Sequence, residues 1–251
     1  MRKFETFSAL HVPGKPVILF NVWDAGSARV AAKAGARAIA TGSASVATAQ
    51  GYSDAEALPI AMALGNAERI VQSVDLPVSV DFEGGYAVDP GLLAANIRML
   101  AATGVIGCNF EDQVVASHGT PSRVMHDIRE QSARIAAMRA ATGTPFFINA
   151  RTDIFLIAKP DTHDAAMVDA AIERGHAYAD AGASGFFVPG LGRDARAARV
   201  PDVEQDHRLA RHMQRGKNVE LAHGGPLRSS IVPIEEAPAT GKMDHMKLTQ
   251  T

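Results

Sequence analysis

VSVDFE (78–83) is a short, β-rich run that ends on two carboxylates, and the same design recurs along the chain. VILFNVWD (17–24), VIGCNFED (105–112) and FFINARTD (146–153) are also apolar runs whose charged residues sit at the C-terminal end. Between the runs the text is Ala-rich with helical spacing. Strand and helix alternate at about 20 to 40 residues per unit, the pattern of βαβ crossovers on a parallel sheet. A chain of 251 residues with 47% hydrophobic content suits a single domain of this kind. In a closed barrel of parallel strands, side chains at the C-terminal rim converge on a ligand, so Asp81, Glu83, Glu111 and Arg151 read as one site drawn from three strands.

The spacing predicts strands at 17–24, 38–43, 77–83, 105–112, 145–153 and 185–189. Helices are expected at 27–34, 56–74, from Asp89-Pro90 to Ala102, 127–141 and 163–181. Pro just inside a helix start, behind an Asp, is a strong opening signal. The expected fold class is therefore α/β, a (β/α)8 TIM-type barrel. Six units are legible in residues 1–191, the catalytic region, and the last two are not legible after residue 191. Residues 192–251 hold 10 of the 25 Lys and Arg but none of the 14 Phe, Trp and Tyr. Residues 219–221 and 231–234 read as short strands without amphipathic helices to follow them. This atypical C-terminal segment is expected to be poorly ordered or frame-altered, since a changed reading frame near codon 192 would produce so abrupt a shift of composition.

The totals exclude several roles. A net charge of −2 offers no bulk attraction to nucleic acid or to an acidic membrane. The N-terminal text has no apolar signal core, and no uncharged apolar run approaches the roughly 18 residues of a span. Cys108 is the only cysteine, which rules out an internal disulfide and a zinc–thiolate cluster. A cytoplasmic protein that binds neither nucleic acid nor membrane is the expectation.

Asp81 and Glu83 lie two apart on a strand, so both carboxylates share a face. Side by side they repel, unless a cation sits between them. A hard ion such as Mg²⁺ suits one or two carboxylates plus waters and substrate. The alternative is a pair of acids that cap the next helix or face solvent, and these two residues alone do not separate the readings. Glu111 adds a third inward carboxylate on the adjacent strand, sharing a face with Asn109 while Cys108 and Phe110 take the other. Arg151 shares the inward face of the fifth strand with Asn149, with Asp153 just beyond. Its guanidinium serves either a plain ion-pair network or bidentate recognition of a substrate carboxylate.

Six strings, NVWDAGSAR (21–29), TGSAS (41–45), GYSDAEALP (51–59), VDFEGGYA (80–87), NFEDQ (109–113) and NARTD (149–153), resemble the isocitrate lyase / phosphoenolpyruvate mutase superfamily in its order and spacing, over about residues 7–191. The resemblance implies a (β/α)8 barrel that forms homodimers or homotetramers by exchanging its last helix. It also implies Mg²⁺ or Mn²⁺ and chemistry on a bond next to a 2-oxo or 2-hydroxy carboxylate. Carried over, Asp81 is the acid that approaches the metal directly, and Glu83 and Glu111 hold it largely through water. Arg151 stands beside the substrate and its enolate, and the Gly42-Ser43-Ala44 turn holds the substrate carboxylate. Asp54 lies on a gating loop and supplies a catalytic acid in some members. Gly84 and Gly85 fit a tight turn where backbone approaches a ligand.

The chain also departs from the family. Isocitrate and methylisocitrate lyases place a Lys-Lys-Cys-Gly-His-like motif after the fourth-strand glutamate, and mutases use a lysine there, whereas this chain has QVVASH (113–118). Cys108 cannot substitute, being on the wrong face of its strand. Glu83 replaces an aspartate. Among weaker candidates, His118 is an acid–base or merely solvated loop histidine, Tyr52 lines the gate or packs beneath it, and Asp24 or Ser27 caps the first helix. The resulting expectation is an Mg²⁺-dependent lyase that cleaves a C–C bond, or decarboxylates, in a small 2-oxo or 2-hydroxy acid through a stabilised enolate. Phosphoenolpyruvate mutase- or phosphonopyruvate hydrolase-like C–P chemistry is one alternative, and a catalytically impaired barrel that binds metal and dicarboxylate is the other.

Overall fold

The computed structural model describes residues 2–12, 17–116, 120–143 and 145–191. In chain order it contains α1 (Arg2–Leu10), β1 (Phe20–Val22), α2 (Ala25–Lys33), β2 (Ile39–Thr41), α3 (Ser43–Ala49), α4 (Ile60–Ser73), β3 (Val78–Asp81) and α5 (Pro90–Ala102). There follow β4 (Gly107–Glu111), β5 (Gln113–Ala116), β6 (Thr120–Met125), α6 (Ile128–Thr142), β7 (Phe147–Arg151), α7 (Ile154–Ile157), α8 (Ala165–Asp180) and β8 (Gly185–Phe187). Six strands form one sheet in the order β1-β2-β3-β4-β7-β8, every pair parallel. These are six staves of a (β/α)8 barrel. Within the described residues β1 and β8 are the ends of the arc, and the remaining text, with 219–221 and 231–234, lies outside them.

Alternation along each strand sorts the side chains. Val78, Val80, Cys108, Phe110, Ile148, Ala150 and Phe186 join the buried layer between sheet and helices, against Ile70 of α4, Leu93, Ile97 and Leu100 of α5, Ile135 and Met138 of α6 and Tyr178 of α8. The opposite face carries Ser79, Asp81, Asn109, Glu111, Asn149 and Arg151. Register then sets the functional residues level, pairing Asp81 with Asn109, Asn109 with Asn149, and Glu111 with Arg151. The lower end is stoppered by α1, an element absent from the sequence reading. Its Phe7 and Leu10 pack with Ala38, Ile106 and Phe147. The Phe7 and Phe147 rings meet edge-on at 5.1 Å, and His11 stacks on Phe147 at 4.8 Å.

Helix starts follow cap chemistry. Asp89 accepts from the Leu92 amide with Pro90 in the first turn, Asp127 accepts from Arg129, and Asp24 with Ser27 completes a capping box. Three expectations need correction. The first strand begins at Phe20, not at 17. The third is regular only to Asp81: the Phe82 amide and the Glu83 carbonyl still bond to β4, but Glu83 takes a left-handed backbone (φ 50°) that turns the chain out of the strand. The Gly42-Ser43-Ala44 turn is the opening of α3, with Gly42 as its N-cap. The antiparallel hairpin β5–β6 was also not expected.

Candidate active site at the barrel mouth

Arg151 ends β7 and organises the rim. Its Nη1 lies 3.2 Å from Glu111 Oε2 and 3.6 Å from Asp81 Oδ2, so two carboxylates from adjacent strands face one guanidinium nitrogen. Its Nε and Nη2 grip Asp153 in a bidentate pair at 2.6 and 2.9 Å. Burial works against the Arg151 charge, but Asp81, Glu111 and Asp153 outweigh it and hold the guanidinium protonated above its ordinary range. Asp81 is also met from α3: the Ser43 amide and hydroxyl donate to its Oδ2 at 3.4 and 3.2 Å. Ser43 and Asp81 share a small cavity with Thr41, Leu58, Glu83 and Tyr86. Burial drives the Glu111 carboxyl well above its ordinary value, against the opposing pull of Arg151.

Glu83 reaches this neighbourhood by another route than strand alternation. It is buried, 5% exposed, and its Oε2 accepts from the Glu56 amide at 2.8 Å. Burial first, then the Asp54 charge, push its carboxyl up to about 8. Asp54 itself is exposed on the loop between α3 and α4. The Gly84-Gly85 pair serves packing more than ligand approach. Gly85 is left-handed, and a Cβ there would lie 2.4 Å from Leu93 Cδ1.

The sequence reading missed the support behind the rim. Asp112, wholly buried, accepts from the Asp153 amide at 3.0 Å, from Arg174 Nη1 at 2.9 Å and from Tyr178 Oη at 2.8 Å. Arg174 and Tyr178 lie four apart on α8, so one helical face carries both. Glu56 was missed too. A charged residue directly after an inward glutamate, opposite an Arg-x-x-x-Tyr helix face, was the available signal for Asp112. Glu56 lies within GYSDAEALP (51–59), but no strand alternation or cap pattern there gave its side chain a role.

Do these residues fit a hard divalent ion? Asp81 Oδ1 is buried without a hydrogen-bond partner, as is Asn149 Oδ1 on the interior face of β7. Orphaned oxygens beside raised carboxyls are what a cation would relieve. Among the described residues, however, no three His, Cys, Asp or Glu side chains stand close enough to hold an ion by themselves. The arrangement therefore fits an ion held at Asp81 and completed by water and substrate, and does not fit a cage of three direct carboxylates. Cys108 is fully buried on the outer face, and burial raises its thiol pKa. His118 lies outside the described residues. Tyr52, on the loop between α3 and α4, is 38% exposed.

The sequence profile of phosphoenolpyruvate phosphomutase matches residues 7–221, running past residue 191 into the compositionally different segment. The crystal structure of a candidate phosphonomutase from Burkholderia cenocepacia J2315 is 44% identical, covers 89% of this chain and 93% of its own, and superposes with a TM-score of 0.73. The 2-methylisocitrate lyase of Escherichia coli K12 is 29% identical over 211 residues, 78% of this chain and 69% of its own length. An uncharacterized Mycobacterium tuberculosis H37Rv protein is 30% identical over 184 residues, 73% of this chain, and the chain spans 65% of that relative's length. With the motifs in order, a profile match over most of its length and the same barrel, the chain belongs to the phosphoenolpyruvate phosphomutase family of the isocitrate lyase / phosphoenolpyruvate mutase superfamily.

Proposed function

We propose that the protein is an Mg²⁺- or Mn²⁺-dependent lyase that cleaves a C–C bond, or decarboxylates, in a small 2-oxo or 2-hydroxy carboxylic acid. The observation that carries this reading is the Arg151 guanidinium shared by Asp81 and Glu111, with the Ser43 amide and hydroxyl aimed at the same carboxylate. Asp81 would hold the ion directly and Glu111 through water, and the ion would supply a Lewis acid at the substrate carboxylate and the oxygen beside it. Arg151, locked by Asp153, meets the negative charge that builds on that oxygen as the bond breaks. Ser43 and the α3 opening at Gly42 and Ala44 offer donors to the substrate carboxylate. Asp54, on the solvent side of the loop, handles the proton. The test is release of pyruvate or a related oxo acid from a panel of oxaloacetate, methylisocitrate and dimethylmalate. Full activity in excess chelator, or in Asp81→Ala, would sink the reading.

A second reading is C–P cleavage or phosphoryl migration on a phosphonate, favoured by the likeness to a candidate phosphonomutase. QVVASH at 113–118, without a lysine, weighs against it. Phosphonopyruvate and phosphoenolpyruvate in the same panel separate the two.

A further inference from the structure

The loop between α3 and α4 and the turn after β3 face each other, and a reciprocal pair of hydrogen bonds joins them. The Glu56 amide donates to Glu83 Oε2 at 2.8 Å, and the Tyr86 amide donates to Glu56 Oε1 at 2.7 Å. Each carboxylate thus satisfies a backbone donor of the opposite segment. Among the described residues, every non-glycine with a left-handed backbone lies at this junction: Ala55 (φ 65°), Glu56 (57°), Glu83 (50°) and Tyr86 (57°). Such conformations persist where surrounding contacts over-determine them.

One side of the junction is firmly anchored. Arg134 on α6, 4.8 Å above the Phe110 ring, donates from Nη2 to the Gly84 and Ala87 carbonyls at 2.6 and 3.0 Å. Asn96 on α5 donates to the Gly85 and Tyr86 carbonyls at 3.0 and 3.3 Å. A Cβ at Gly84 would lie 3.1 Å from Glu56 Oε1, so the segments meet in close contact. Residues 83–87 are the fixed half, and the Asp54 loop is tied to them through Glu56 and Glu83.

We propose that Glu56 and Glu83 form a clasp that fixes the Asp54-bearing loop over the barrel mouth, with Glu83 acting on the loop backbone instead of on a cation. Both are then positioning residues. The consequence for turnover rests on the proposed role of Asp54, but the clasp itself does not.

The experiment is hydrogen–deuterium exchange on the full chain, with no substrate, read at residues 51–59 and at the Tyr86 amide. Aspartate at 83 is about 1.5 Å shorter, one C–C bond, and cannot span to the Glu56 amide. Glu83→Asp should therefore speed exchange in the loop at least tenfold while β4 and β7 keep wild-type protection. Glu83→Gln retains an acceptor and should keep the loop protected, with Mg²⁺ affinity by calorimetry within twofold of wild type. Glu56→Ala, should the variants at 83 fail to fold, must expose the Tyr86 amide, and Glu56→Gln must not. Wild-type loop protection in Glu83→Asp, an unmoved Tyr86 amide in Glu56→Ala, or a tenfold loss of Mg²⁺ affinity in Glu83→Gln would overturn the proposal. Since exchange is read without substrate, the clasp and the proposed reaction fail separately.

Discussion

Removing the Asp112 carboxylate should cost more stability than any other single truncation at the rim. Three donors converge on this wholly buried side chain: the Asp153 amide on Oδ1, and Arg174 and Tyr178 on Oδ2. Asp112→Ala leaves the Arg174 charge, only 12% exposed, without its anion, although it keeps the His126 carbonyl at 3.1 Å. Breaking a buried pair by deleting one partner costs about 3–5 kcal/mol. The unpaired Asp153 amide adds about 1–3 kcal/mol, not additively. A total of roughly 4 kcal/mol should lower Tm by about 10 °C in a chain of this size. Asp112→Asn keeps an acceptor for the Asp153 amide and loses the ion pair, so roughly half that loss is expected. Urea unfolding followed by circular dichroism measures both. An alanine variant within 1 kcal/mol of wild type, or an asparagine variant as damaged as alanine, would refute the hub. The consequence for function runs through the Asp153 amide, which Asp112 fixes behind Arg151, so Asp112→Ala should also weaken substrate binding, and Asp112→Asn should do so less.

The Glu83 carboxyl is raised from its usual 4.5 to about 8 by burial and the Asp54 charge, so the native state holds a proton that the unfolded chain has released. The stabilisation is full below pH 4.5 and is lost as pH rises through 8, a decline of at most a few kcal/mol. Thermal melts of metal-free protein across that range should show it, and Glu83→Gln should flatten it. A slope unchanged in the variant would assign the proton elsewhere. Glu111 is also raised, so Mg²⁺ binding should release protons, seen in calorimetry as a heat that depends on the buffer's ionisation enthalpy. A buffer-independent heat would contradict this. Gly107→Ala would set a Cβ 2.3 Å from the Phe147 carbonyl oxygen and 2.6 Å from its Cβ. Backbone cannot yield cheaply there, and a loss of about 1–3 kcal/mol is expected in denaturant unfolding. Arg151→Lys gives up the bidentate grip on Asp153 and should reduce turnover by at least tenfold with smaller effect on folding. Wild-type turnover in that variant would remove Arg151 from the chemistry.

The sequence alone determined what short-range physics controls. Period-two alternation put Asn109 and Glu111 on one face and Cys108 and Phe110 on the other, and likewise Asn149 and Arg151 opposite Ile148 and Ala150. Asp89-Pro90 announced its helix, and Asp24 with Ser27 announced α2, through cap chemistry that needs only a few neighbouring residues. The rim trio Asp81, Glu111 and Arg151 was legible for the same reason: each closes an apolar run. The tertiary structure decided what depends on distant partners. Glu83 leaves the strand for a left-handed turn because Glu56, 27 residues earlier, offers it an amide. Asp112 is a buried hub because a helix 62 residues onward brings Arg174 beneath it. Phe7 and Leu10 stopper the barrel only once Phe147 and Ile106 are in place. Alternation and caps are properties of a few consecutive residues, whereas burial, electrostatic strain and loop docking are set by which segments the fold brings together.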